Sequence, residues 1–242
     1  MTGVRGSHVA VVGGSIAGTA MAIALAGSGC HVTVFERSSG ELHARGFGIG
    51  IPVAVRDEFV AAGILDAQMP ALRCGERIWI VHDGSHAGRV VWRQQFLATL
   101  NNWGVLWRTL RARVPADVTW RTATVTGVEP SAEDVEITVG DRQERFDVVI
   151  GADGYRSEMR RMIGLGQPRY AGYSLWRGTF PADRLATIPA ELRGDAITIG
   201  FPGGHAIAYL IPDHGGVRST WAVPSRRPSS TSAAACAVRA RS

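Results

Sequence analysis

The chain contains no lysine; all 26 of its basic residues are arginine. That excludes a Walker-type phosphate-binding lysine, a lysine Schiff base and a lysine general base. Cysteine is scarce. Cys30, Cys74 and Cys236 are odd in number, widely spaced and form no Cys-x-x-Cys pair. This argues against a disulfide framework or a zinc site and for a reducing compartment, the cytoplasm. No apolar run reaches the ~18–20 residues of a membrane-spanning helix, since Ile16 to Gly29 is short and holds Thr19, Gly27 and Ser28. The formal charge of +5 invites a nucleic-acid partner, but its location argues against one. Residues 218–242 hold Arg218, Arg226, Arg227, Arg239 and Arg241 and no acid, which leaves 21 arginines against 21 acids in residues 1–217.

What is present begins with Val9-Ala10-Val11-Val12-Gly13-Gly14-Ser15-Ile16-Ala17-Gly18. An apolar strand meets a glycine-rich turn and enters an alanine-rich helix; a second strand, His31 to Phe35, ends on Glu36. This is the layout of a dinucleotide-binding βαβ unit. Gly13 permits the tight turn, and position 15 lies where the backbone nears a pyrophosphate favoured by the helix N-terminus. Gly18 lets helix and strand lie close, and Glu36 is placed to accept from a ribose hydroxyl. Ser15 stands where the motif wants glycine. Two other readings use the same stretch. A nucleophile elbow at Ser15 would want glycine where Ala17 stands and would follow several earlier strands. A secretory signal could use Arg5, the apolar run and Ala24-Leu25-Ala26, but the embedded Gly-Gly-Ser and the strand ending in Glu36 oppose it.

Further along, Gly46-Phe47-Gly48-Ile49-Gly50-Ile51-Pro52 suggests backbone close to a ligand or another strand. Val53 to Ala62 has helical periodicity through Val55, Phe59 and Val60, with Gly63 as C-cap. Residues 77–82 and 89–92 read as a strand pair, so His82 and His86 fall at a turn rather than at a helical metal-ligand spacing. Arg93 to Leu100 reads as a short amphipathic helix burying Phe96, Leu97 and Leu100. Arg93 at its start opposes the macrodipole by ~0.3–1 kcal/mol, which an anionic ligand or a surface ion pair would offset. Thr124–Val128, Val135–Val139 and Glu144–Phe146 form a meander turning at Gly140-Asp141. Val148, Val149 and Ile150 fit a strand buried on both faces, leading to Asp153-Gly154, which reads as a turn at the sheet end where ligands gather and so as a good place for a site. Ser157 caps the next helix and Gly164 ends it. Residues 168–223 are rich in aromatics and read as a β-rich region with strands at Tyr173–Phe180, Ala196–Phe201 and Ala206–Ile211. From Arg226 the patterning disappears, as in a disordered tail.

These segments together resemble the single-component FAD-dependent aromatic hydroxylases of the para-hydroxybenzoate hydroxylase type. Gly13-Gly14-Ser15 is a variant found in that family, and Glu36-Arg37 matches the acid closing its second strand. Arg45-Gly46-Phe47-Gly48-Ile49 looks like its glycine-rich segment beside the flavin. Arg93 with Phe96 and Leu100 is similar to its flavin-contacting arginine helix. Asp147 to Gly154 with Arg156-Ser157 is similar to its Asp-Gly motif, implicated in pyrophosphate and NAD(P)H binding. Tyr170 to Gly178 looks like its entry to the substrate domain, especially in members acting on hydroxylated pyridines and salicylate-like rings.

The resemblance implies an α/β fold: a Rossmann-like FAD domain of glutathione-reductase type with a β-meander, interleaved with a β-rich substrate domain. The expected division is 1–68 and 93–165 for FAD, 69–92 and 166–225 for substrate, and a tail at 226–242. It implies FAD held by Gly13, Gly14, Ser15, Ile16, Ala17, Gly18, Glu36, Arg37, Arg45, Gly48, Arg93, Asp153 and Gly154. NADH or NADPH would be co-substrate, and O2 and a small aromatic or N-heteroaromatic ring the partners, with oxygen transferred from a C4a-hydroperoxyflavin. No catalytic acid or base is assigned; Arg177, His205 and Tyr209 are candidate pocket groups or structural residues. The family's later Gly-Asp motif and its Pro-containing flavin loop do not occur, as though the chain stopped early or its frame slipped. A non-catalytic dinucleotide-binding fragment and an NAD-dependent reductase are the other readings.

Overall fold

The computed structural model describes residues 4–40, 42, 47–82, 87–185 and 193–226. Strand β1 (His8–Val12) leads into helix α1 (Ile16–Gly27) and returns in β2 (His31–Glu36). Then come β3 (Gly48–Pro52), α2 (Val53–Ala61), β4 (Leu72–His82), β5 (Ala87–Asn102) and α3 (Trp103–Arg113). Strands β6 (Thr119–Thr122), β7 (Val125–Pro130), β8 (Val135–Val139), β9 (Arg142–Phe146) and β10 (Val148–Gly151) precede α4 (Glu158–Met162). Strands β11 (Tyr173–Pro181), β12 (Ala196–Phe201), β13 (Gly204–Asp213) and β14 (Gly216–Arg226) follow.

A parallel sheet in the order β10-β1-β2-β6 forms the Rossmann-like centre. Its period of two divides β1 between layers. Val9 and Val11 pack with Ala22 of α1, Val32 and Val34, whereas Ala10 and Val12 pack with Phe35, Ile137, Val139 and Phe146 beneath the β7-β8-β9 meander. Helix α1 is then wedged against α3 through Ile23, Val105, Leu106 and Leu110. The meander, the Gly63 helix end (φ +72°), the Gly140 turn (φ +62°) and the Ser157 cap of α4 all form as expected.

The second body is a seven-stranded sheet, β11-β14-β13-β12-β4-β5-β3, antiparallel except for β12 beside β4. The expected strand pair at 77–82 and 89–92 lies within it, with Trp79 and Trp92 stacked at 5.7 Å. None of the described helices is long and apolar enough to cross a membrane.

Three local expectations are corrected. Residues 93–100 are not a helix but the middle of β5, which stays in the large sheet to Asn102. Phe96, Ala98 and Leu100 alternate onto one cluster, while Leu97 on the opposite face is 59% exposed. Such a run satisfies both periods, and the tertiary partner strand decides between them. Strand β10 is not buried on both faces: it pairs with β1 alone among the described residues, and Val148 is exposed. An apolar run does not reveal whether its strand is central or at an edge. On α2, Val55 and Phe59 point outward, leaving Val60 to contact the core. His86 and residues 227–242 lie outside the described residues.

Candidate dinucleotide cleft and the sheet beside it

The glycine-rich turn is as tight as its residues allow. Gly13 has φ +109°, and its N–H donates to Phe35 O at 2.8 Å; a Cβ there would fall 2.3 Å from Ala152 O. At Gly18 a Cβ would lie 1.8 Å from Gly13 O, so helix and turn meet backbone against backbone. The Gly14 N–H donates to Glu36 Oε2 at 2.8 Å, and the other oxygen, Oε1, accepts from Ser38 N at 2.8 Å. Glu36 is 8% exposed, a buried carboxylate satisfied by backbone amides.

Ser15 stands at the N-cap of α1 without a side-chain cap bond. The first-turn amides of Ile16 and Ala17 have no acceptor within the helix, as is general for a helix N-terminus, whereas Gly18 is buried against the turn. The cleft beside them holds about 180 Å³ and is bordered by Gly13, Ser15, Glu36 and Arg37 on one side and by Asp153 and Gly154 on the other. Small-molecule pockets run to roughly 300–1,000 Å³, so this volume suits part of a dinucleotide rather than the whole. Glycines whose Cβ would collide, an uncapped helix N-terminus and a carboxylate beside them fit a ribose and pyrophosphate.

Asp153 has a structural task here: Oδ2 accepts from Glu158 N at 2.8 Å and Met159 N at 3.2 Å, starting α4 together with Ser157. Arg156 borders the cleft, with its guanidinium 5.4 Å from the Tyr155 ring.

Gly14, Ile16, Ala17 and Gly18 belong to the turn and helix but do not border the cleft, and two further expected residues stand elsewhere. Arg93 does not border this cleft; on β5 it pairs with Glu76 at 2.7 Å, both side chains about half exposed, so the surface ion pair accounts for it. Gly48 lies on β3 in the large sheet, where a Cβ would come 2.4 Å from the Tyr209 ring. Arg45 is outside the described residues.

Gly48 belongs to a second constellation. Arg177 Nη2 donates to Gly48 O at 3.0 Å, and its guanidinium lies 5.0 Å from the Phe47 ring. Burial pushes the Tyr209 phenol upward, while the nearby Arg177 pulls it down. His205 is on the same strand but ~13 Å away at ~3.3 Å per residue, paired opposite Gly200. The two places are joined by backbone: Trp103, which lines the cleft, donates its N–H to Phe47 O at 2.9 Å.

Sequence reasoning missed Thr19, Trp103, Trp107 and Trp120 at this site. Thr19 sits five residues after Gly14 on the next helical turn, a spacing that could have flagged it. The tryptophans are distant in sequence and arrive only by packing of α3 and β6.

Residues 8–65 match the family described as Pyridine nucleotide-disulphide oxidoreductase. The chain is 30% identical over 244 residues to 3-amino-4-hydroxybenzoate 2-monooxygenase PtmB3 of Streptomyces platensis, covering 90% of this chain and 60% of that one. The structure of 2,6-dihydroxypyridine-3-hydroxylase from Arthrobacter nicotinovorans superposes with a TM-score of 0.75 at 23% identity, covering 91% of this chain and 56% of that one. CtdE in complex with FAD and a substrate superposes with a TM-score of 0.71 at 19% identity, over 91% and 57%. The chain thus spans about 60% of the length of the curated relative. In sequence and in fold the chain is similar to FAD-dependent aromatic hydroxylases over the part of their length that it spans.

Proposed function

We propose that the chain carries the dinucleotide cleft and substrate sheet of an FAD-dependent, NAD(P)H-driven monooxygenase that hydroxylates a small electron-rich aromatic or N-heteroaromatic ring. The observation that carries this reading is a cleft bordered by the glycine turn and Glu36, whose lining residue Trp103 donates its N–H to Phe47 O, the residue whose ring lies 5.0 Å from the Arg177 guanidinium. When bound, the flavin supplies the redox chemistry that lets O2 deliver one oxygen atom to the ring, with NADH or NADPH as electron source.

The chain's own residues bind and orient. The amides following Gly13 and Gly14, at Ser15, Ile16 and Ala17, are the donors for the pyrophosphate, and Gly18 holds the helix against the turn that presents them. Glu36 sets the ribose end beside Arg37, and Asp153-Gly154 closes the cleft at α4. Glu36 would repel a 2′-phosphate, which favours the adenosine of FAD at this end. Arg177 and Tyr209 offer a cation and a phenol to an anionic or hydroxylated ring. Buried free Cys30 and Cys74 support a reducing, cytoplasmic location.

The test is the visible spectrum of the purified chain before and after FAD addition, followed by substrate-stimulated NAD(P)H oxidation with hydroxylated benzoates and pyridines. The reading expects flavin bands near one per chain and stimulation by at least one ring. A chain that stays colourless with excess FAD refutes it. Because the chain spans about 60% of the curated relative, FAD binding without turnover is the second reading, and it would show as flavin bands with no stimulation.

A further inference from the structure

The Gly14–Ser15 peptide is held by groups outside the Gly13–Gly18 stretch. The Gly14 carbonyl accepts two hydrogen bonds, from the Thr19 hydroxyl at 3.0 Å and from the Trp107 indole Nε1–H at 2.9 Å. Thr19 is fully buried and Trp107 is 7% exposed. Trp107 comes from α3, 93 residues downstream, and Trp120 of β6 seals the same glycine: a Cβ on Gly14 would lie 2.4 Å from its ring.

A trans peptide is a rigid plane in which C=O and the following N–H point in opposite directions. A carbonyl pinned toward α3 therefore aims the Ser15 N–H the other way, toward the cleft that Ser15 borders. Reversing the plane would turn a carbonyl oxygen on the anion instead of a donor. Every described peptide here is trans, so rotation of the whole plane is the available failure.

We propose that Trp107 is a positioning residue of the cleft: its indole N–H, with the Thr19 hydroxyl, locks the Gly14–Ser15 peptide in the orientation that presents an N–H to pyrophosphate. This rests on the reading that the cleft takes the FAD pyrophosphate. It makes α3 part of cofactor binding through a residue that does not border the cleft.

The experiment compares ADP, adenosine and FAD binding to wild type, Trp107→Phe and Thr19→Val by calorimetry, with folding checked by circular dichroism. Phe keeps an aromatic ring and removes the donor; Val keeps the shape of Thr and removes the hydroxyl. Losing one hydrogen bond to a buried carbonyl should weaken ADP and FAD about tenfold. Adenosine, which carries no phosphate, should stay within about twofold in each variant. A general packing defect would weaken adenosine and ADP alike, and that equal loss overturns the proposal, as does unchanged ADP affinity. If Trp107→Phe does not fold, Thr19→Val decides by the same comparison. Wild type that binds ADP but not FAD refutes the flavin reading while ADP still decides the lock; wild type that binds neither refutes both.

Discussion

Replacing Gly18 with alanine sets two effects of opposite sign against each other. Within α1, alanine is the better helix former by ~1 kcal/mol, because glycine loses more backbone freedom on folding. Against that gain, the new Cβ would sit 1.8 Å from Gly13 O, a backbone atom that no rotamer change can move. Overpacking at a tight site costs ~1–3 kcal/mol, and a backbone collision belongs at the upper end of that range. The clash wins, leaving the variant less stable by about 2 kcal/mol. For a domain of this size each kcal/mol moves Tm by about 2–4 °C, so thermal unfolding should fall by about 4–8 °C. Gly27, in the same helix, is the control: nothing lies within 4 Å of its Cβ position, so Gly27→Ala should leave Tm unchanged or raise it by up to about 4 °C. The displaced turn should also weaken FAD binding in Gly18→Ala but not in Gly27→Ala. A Gly18→Ala protein as stable as Gly27→Ala would refute the close contact between α1 and the turn.

Glu36→Gln replaces one carboxylate oxygen with an amide that cannot accept from Ser38 N or Gly14 N; it should cost about 2 kcal/mol in urea unfolding and weaken FAD binding. Arg93→Ala removes a half-exposed ion pair and should change stability by less than about 1 kcal/mol, with FAD affinity unchanged in a titration. Tyr209 is raised by burial above its ordinary value, so its folded pKa exceeds its unfolded one. The neutral phenol's stabilising contribution is complete below the unfolded pKa near 10 and is lost as pH rises through the folded value. Tyr209→Phe should therefore flatten the alkaline fall in stability, and Arg177→Met should move the phenolate absorbance change to still higher pH because the opposing cation is gone.

Much of the first βαβ unit is legible because its signals are local. Strand, turn, helix and acid over residues 8–36 are set by side-chain period and by backbone positions that only glycine fills, as Gly13 at φ +109° does. The meander and the Ser157 cap are local in the same way. Arg93 to Leu100 is the counterexample. Its apolar residues satisfy a period of 3.6 and a period of 2 together, and only β4 and β3 on either side make it a strand. The apolar residues of β10 are likewise compatible with the middle or the edge of a sheet, and the edge position leaves Val148 exposed.

Taken alone, the sequence determined a dinucleotide-binding βαβ unit, a meander and a β-rich region, because each is written in contacts between near neighbours along the chain. Tertiary structure alone decided which residues share a site. It moved Arg93 to the surface, set Gly48 beneath Tyr209, and brought Trp107 across 93 residues to the Gly14 carbonyl. Those pairings depend on how α3 and the large sheet pack against the first strand and helix, which no local period encodes.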